Sequence, residues 1–208
     1  MNKMDSNVFE KLKESPDAVL IINRFQEYMK KEAEKRQEFY DLVLENIKAE
    51  FINGEIVLHS PVSMKHLIIS TNLSYEMAGF VKKNHLGFVG IEKMMITLSR
   101  NNYEPDIVYF RKEISDAFSD DQKLFPAPDL VVEILSDSTR QNDYGIKFRD
   151  YEAHNVGEYW IIDPETSTIE QFVLLEKEFY LHNKLEKKGI LTSVVISGFQ
   201  MDLENVFA

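Results

Sequence analysis

"APDLVVEILSDSTRQNDYGIKFRDYEAHNVGEYWIIDP", Ala127 to Pro164, is the stretch whose reading decides the fold. Its "LVVEIL" run, Leu130 to Leu135, is almost wholly apolar, as expected of a central strand covered on both faces. One carboxylate, Glu133, sits in the middle of it. Burying an unpaired carboxylate is costly, so a partner is expected: a metal, a lysine or a hydrogen-bond network. "NDYGIKFRDYEAHN" follows as a helix, weakened by Gly145, which costs about 1 kcal/mol relative to Ala in a helix interior. "GEYWIIDP" is a further strand, stopped by Asp163-Pro164.

Upstream, "EPDIVYF" and "FVGIEKMMITLS" read as strands and "SMKHLIISTNLSYEMAGFVKKN" as a helix. Leu67, Leu73, Met77, Phe80 and Val81 can line one face of that helix. "AEFINGEIVLHSP" has the form of a hairpin, with Asn53-Gly54 as its turn. Downstream, "TIEQFVLL" and "EFYLHNKL" form another hairpin, and "LTSVVISGFQMDLENVF" a last strand with a closing turn. The order suggests an α/β fold, a mixed central sheet flanked by helices.

Residues 1–48 are charged and rich in Glu, Lys and Met. Apolar residues at Val19, Ile22, Phe25, Met29, Phe39, Val43 and Ile47 suit one or two amphipathic helices, and "SPD" at Ser15–Asp17 resembles a helix start. This extension is expected to pack on the main body, 49–208; a partner-binding arm is the alternative.

Composition narrows the chemistry. The chain of 208 residues has no cysteine, which excludes disulfides and thiolate metal sites. Any metal must be held by carboxylates, histidines or backbone oxygens. No segment approaches the roughly 20 apolar residues of a membrane span, and the start lacks the apolar core of a signal peptide. A cytoplasmic protein without a membrane partner is expected. The net charge of −11 weighs against a large nucleic-acid surface, though not against a local groove. No Gly-rich phosphate loop, nucleophile elbow or His-x-x-x-His spacing is present.

Asp106 opens the "EPDIVYF" strand, and Glu133 lies in what should be an adjacent strand. At matching heights, about 4.8 Å apart, two carboxylates can hold one hard cation, Mg²⁺ or Mn²⁺. Such an ion activates water and neutralises charge developing on phosphorus. Equally, Asp106 can cap a turn and Glu133 can pair with a structural Lys or Arg. Lys147, 14 residues after Glu133, can point back to the strand end or stand in solvent. Asp143 can cap the helix or pair with Lys147. Glu50 and Glu55 flank the early hairpin, where exposure is expected, and His66 sits on the first helix of the body. Trp160 and Tyr159 are expected to pack the sheet.

These motifs, taken in order, resemble the Uma-type family of restriction endonucleases within the PD-(D/E)xK nuclease superfamily. "EFINGEIV", "SPVSMKH", "EPDIVYF" and the opening stretch carry the resemblance, which spans roughly Glu50 to Phe207. It implies a restriction-endonuclease-like core, with an N-terminal helical extension and extra edge strands, and divalent-metal hydrolysis of phosphodiester bonds, expected in DNA. It implies metal binding by Asp106 and Glu133, with Mg²⁺ or Mn²⁺ as cofactor. The superfamily usually carries its lysine two residues after the acid, where this chain has Leu135; in several branches the lysine lies on the following helix, which Lys147 matches. His66 and Glu50 are accessory candidates. A homodimer is compatible with the arm. The alternative is a catalytically inactive nuclease-fold module for binding or assembly, favoured by the net charge and by Leu135.

Overall fold

The computed structural model describes residues 3–43, 48–91 and 93–208, with the side chains of residues 3–6 and 43 left out of the description. Ile47 and the side chain of Val43, both read as apolar arm positions, therefore lie outside the described residues.

The chain begins with α1 (Lys3–Lys13) and the long α2 (Ala18–Val43). The hairpin follows as β1 (Ala49–Ile52) and β2 (Glu55–Leu58). Asn53 (φ 51°) and Gly54 (φ 85°) both take the left-handed conformation that a tight two-residue turn demands. Next comes α3 (Met64–Lys83), whose N-cap Ser63 accepts from the His66 amide. Its buried face is His66, Ile69, Ser70, Leu73, Met77 and Val81. Leu67, expected on that face, is exposed instead.

"FVGIEKMMITLS" is not one strand. It divides into β3 (Gly87–Ile91) and β4 (Met95–Thr97), which belong to different sheets. Then come β5 (Asn102–Tyr103), β6 (Ile107–Arg111), a single helical turn α4 (Lys112–Ser115), β7 (Leu124–Phe125) and β8 (Leu130–Ile134). The expected helix runs as α5 (Arg140–Asn142), a π-helical turn (Asp143–Lys147) and α6 (Phe148–Ala153). Gly145 lies inside the π turn. The chain continues through β9 (Glu158–Asp163), β10 (Thr168–Leu175) and β11 (Glu178–Glu186). The final segment holds two short strands where one was expected, β12 (Ile190–Thr192) and β13 (Gln200–Asp202), then α7 (Leu203–Phe207).

Six strands form the central sheet in the order β11-β10-β9-β8-β6-β3, and five form a second sheet, β2-β1-β5-β4-β7. The central sheet is mixed: β8 runs parallel to β9 and antiparallel to β6. Alternation assigns its residues to two cores. Leu130, Val132 and Ile134 join Ile107, Tyr109, Trp160 and the α3 residues Leu73, Met77 and Val81 on one side. Val131 joins Val108, Phe110, Tyr159, Ile161, Tyr151 and the second-sheet residues Ile52, Ile96 and Tyr103 on the other. Glu133 shares a face with Val131 and therefore points between the two sheets, toward α6.

The arm departs from expectation. Among the described residues, α2 packs on the body from Tyr28 on: Tyr28 donates to the Asn53 carbonyl, Phe39 is fully buried against Phe51, and Arg36 donates to Asn102 and to the Leu98 carbonyl. Arg100 makes a bidentate pair with Glu32, at 2.8 and 2.7 Å. Val19, Leu20, Ile21, Ile22 and Phe25 are exposed. Among the described residues, no helix is long and apolar enough to cross a membrane.

Candidate active site

The register between β6 and β8 ends with Ile107 opposite Val132. One step further along both strands, Asp106 stands opposite Glu133. The pairing is reinforced across the strands, because the Ile134 amide donates to Asp106 Oδ2 at 2.8 Å. Both acids are buried and both line one cleft of about 310 Å³. Its walls come from the β8–α5 loop, the segment after β2, the N-terminus of α3 and Lys147.

Lys147 answers the question set by Glu133. Its Nζ lies 3.1 Å from Glu133 Oε1, 2.9 Å from Glu50 Oε1 and 3.2 Å from Asp143 Oδ1. The side chain is fully buried at 1% exposure. It does not stand in solvent, and the pairing with Asp143 at four residues' distance is present. A π turn holds one residue more than an α turn, and such turns recur where a helix must aim a side chain into a site. Four residues on from Lys147, Tyr151 donates its hydroxyl to Glu133 Oε1 at 3.1 Å. Glu133 Oε2 carries no hydrogen bond to any described residue. Leu135, where the superfamily lysine usually stands, is buried in the apolar cluster of Tyr151 and Tyr159.

Glu50 corrects the expectation of exposure: it is 1% exposed. β1 pairs with β5, which brings Glu50 beneath the segment leading into β6. Its Oε1 accepts from the Glu104 amide at 3.1 Å as well as meeting Lys147, and His59 Nε2 lies 3.3 Å from Oε2. Glu55, by contrast, is exposed and pairs with Lys35. His66 Nε2 lies 3.1 Å from Asp106 Oδ1 and acts as the donor to that carboxylate. Lys48 Nζ stands 3.9 Å from the same oxygen.

The electrostatics are those of crowded acids around too few cations. Burial pushes Glu133 well above the ordinary carboxyl range; Lys147 opposes this, while Asp143, Asp106 and Glu50 add to it. Burial also raises Asp143, whose oxygens have no hydrogen-bond partner among the described residues despite the nearby ammonium. Glu50 goes the other way. Burial acts against it, but Lys147 and His59 together outweigh burial and hold it at about 2. Burial pushes Glu104, which also lines the cleft, up to about 7, and its Oε2 has no partner among the described residues. Lys147 is likewise disfavoured by burial, yet Glu133, Glu50 and Asp143 raise it well above its usual value, so it stays charged.

The donor set suits a hard cation that keeps much of its water. Among the described residues, no three or more His, Asp or Glu side chains converge as a ready-made cage. Mg²⁺ needs no such cage: one or two carboxylates, water and substrate phosphate suffice. Two facing carboxylates that line the cleft, one with an oxygen that no described residue hydrogen-bonds, and an excess of buried negative charge fit that requirement.

A family model described as Uma2, putative restriction endonuclease, matches residues 36–204. The chain belongs to this family. The chain is also similar to a solved structure described as a putative nuclease belonging to DUF820 from Anabaena variabilis ATCC 29413. The two share 20% identity and a TM-score of 0.65, over 76% of this chain and 89% of that one, a likeness of fold. No curated protein matches the chain. The family match begins inside α2, so α1 and the part of α2 from Ala18 to Lys35 lie outside it.

Of the residues singled out from sequence, Asp106, Glu133, Lys147 and His66 line one cleft, and Glu50 joins them through Lys147 without lining it. Lys48, His59, Glu104 and Tyr151 were missed. Tyr151 had a signal, its helical spacing from Lys147. Glu104 had one too, because it stands two residues before Asp106 on the same approach to β6. Lys48 and His59 flank the hairpin and had none.

Proposed function

We propose that this protein is a divalent-metal-dependent nuclease that hydrolyses phosphodiester bonds, with DNA as its substrate and Mg²⁺ or Mn²⁺ as its cofactor. The observation that carries this reading is the facing pair Asp106 and Glu133, with Lys147 against Glu133, at the wall of an open cleft in a chain of the Uma2 family.

Asp106 and Glu133 would hold the cation. When bound, that ion supplies Lewis acidity for phosphoryl transfer. The chain's own residues do the positioning. His66 and the Ile134 amide fix the two oxygens of Asp106, so its plane is set before substrate arrives. Tyr151 and Lys147 fix Oε1 of Glu133, and no described residue hydrogen-bonds Oε2. Lys147 keeps a full positive charge beside the reacting phosphate, where negative charge grows. Glu50 and Asp143 hold that ammonium in place.

Calorimetric titration with Mn²⁺ tests the reading. The wild type binds at millimolar metal or tighter, and Asp106→Ala does not. The same protein cuts duplex DNA, single-stranded DNA or RNA when Mg²⁺ or Mn²⁺ is present. No metal binding and no cleavage of any of these would favour a nuclease fold kept as a binding scaffold.

A further inference from the structure

The N-terminal arm presents apolar surface that the described residues of one copy leave largely uncovered. Val8 and Phe9 on α1, and Val19, Leu20, Ile21, Ile22, Phe25 and Tyr28 on α2, are 43–68% exposed. Val19 to Ile22 are four consecutive apolar residues, so α2 is apolar on every side there rather than along one stripe. A helix of that kind is normally buried. The arm is anchored from Tyr28 on: Tyr28 stays exposed but donates to the Asn53 carbonyl, and Glu32, Arg36 and Phe39 follow against the body.

We propose that this arm is a homodimerisation element: two copies pair through α1 and the first three turns or so of α2. Three observations select a second copy as the occupant. The first is area. Covering these eight side chains would remove roughly 800 Å² per copy, the share each partner contributes to a standard stable interface. The second is charge. Residues 1–28 carry four basic groups (Lys3, Lys11, Lys13, Arg24) against five acidic ones (Asp5, Glu10, Glu14, Asp17, Glu27). Nearly all of the net charge of −11 therefore sits on the body, and the arm is where two such chains can meet with least repulsion. A near-neutral helix also lacks the basic face that draws amphipathic helices to anionic lipid. The third is placement: the apolar arm lies before residue 36, where the family match starts, and none of its eight residues lines the cleft.

Light scattering on the full chain after size exclusion tests this. The wild type should elute at twice the 24.3 kDa of one chain at about 50 µM. Leu20→Glu/Phe25→Glu should elute at the single-chain mass, its dimer dissociation constant raised at least about 100-fold. Because both side chains are exposed, its circular dichroism and its thermal transition measured at low concentration should match the wild type. Val19→Lys/Ile22→Lys, with the opposite charge, should do the same. A wild type that remains at 24.3 kDa overturns the proposal. So do variants that keep the doubled mass, and so does a single-mass wild type that sediments with phosphatidylglycerol vesicles.

Discussion

Lys147 Nζ lies 3.1 Å from Glu133 Oε1, although the two are 14 residues apart and on different elements. The strand supplies the acid, the π turn supplies the base, and neither is in solvent. Each side chain explains the burial of the other. The ammonium has three carboxylates, and Glu133 has one cation and one hydroxyl.

Lys147→Met follows from this pairing. Removing the ammonium takes from Glu50, Glu133 and Asp143 the cation they share, and breaking a buried pair in this way typically costs about 3–5 kcal/mol. Urea unfolding should show that loss at pH 7, and cleavage should fall by at least about 100-fold.

Glu133→Gln should separate stability from activity. Burial and three neighbouring acids disfavour the charged carboxylate, and the amide removes that charge at similar volume. Lys147 keeps Glu50 and Asp143. Metal-free protein should melt at the same temperature as wild type or higher, while Mn²⁺ binding and cleavage disappear. A large loss of melting temperature would mean that Glu133 is chiefly a structural anchor for Lys147.

His66→Ala should be milder. It leaves the carboxylate of Asp106 in place but removes the donor that orients it. Loss of such an orienting partner usually costs about 10–100-fold in metal affinity. Mn²⁺ calorimetry should show this weakening, with the unfolding midpoint little changed.

Docking of α2 on the body should depend on acid. The hydrogen bonds from Arg100 hold Glu32 below the ordinary carboxyl range. A group whose folded pKa is depressed adds stability that is complete above its unfolded value, about 4.3 for Glu, and lost as pH falls through the folded value. Wild type should therefore exceed Glu32→Gln in melting temperature at pH 7, with a smaller gap at a pH below that unfolded value. An equal gap at both pH values would contradict the pairing.

Much of this was legible in the sequence because local rules agreed with the fold. "LVVEIL" reads as a buried strand and folds as one, and Asn53-Gly54 turns the hairpin it predicts. The division of "FVGIEKMMITLS" between two sheets was not legible, since both halves have strand character and only tertiary pairing separates them. Glu50 was read as exposed because nothing local shows that β1 packs beneath the approach to β6. The opposite failure occurred in the arm, where helical spacing gave Val19, Ile22 and Phe25 a common face but could not say that the body never reaches it.

The most direct test of the central claim is the initial rate of plasmid cleavage in 5–10 mM Mg²⁺ or Mn²⁺, an ordinary saturating range of roughly millimolar sites, for wild type, Asp106→Ala, Glu133→Gln and Lys147→Met prepared side by side. The account predicts cleavage by the wild type that chelation abolishes, and loss of at least about 100-fold in each variant. Wild-type cleavage that persists in all three variants, or in excess chelator, would contradict it.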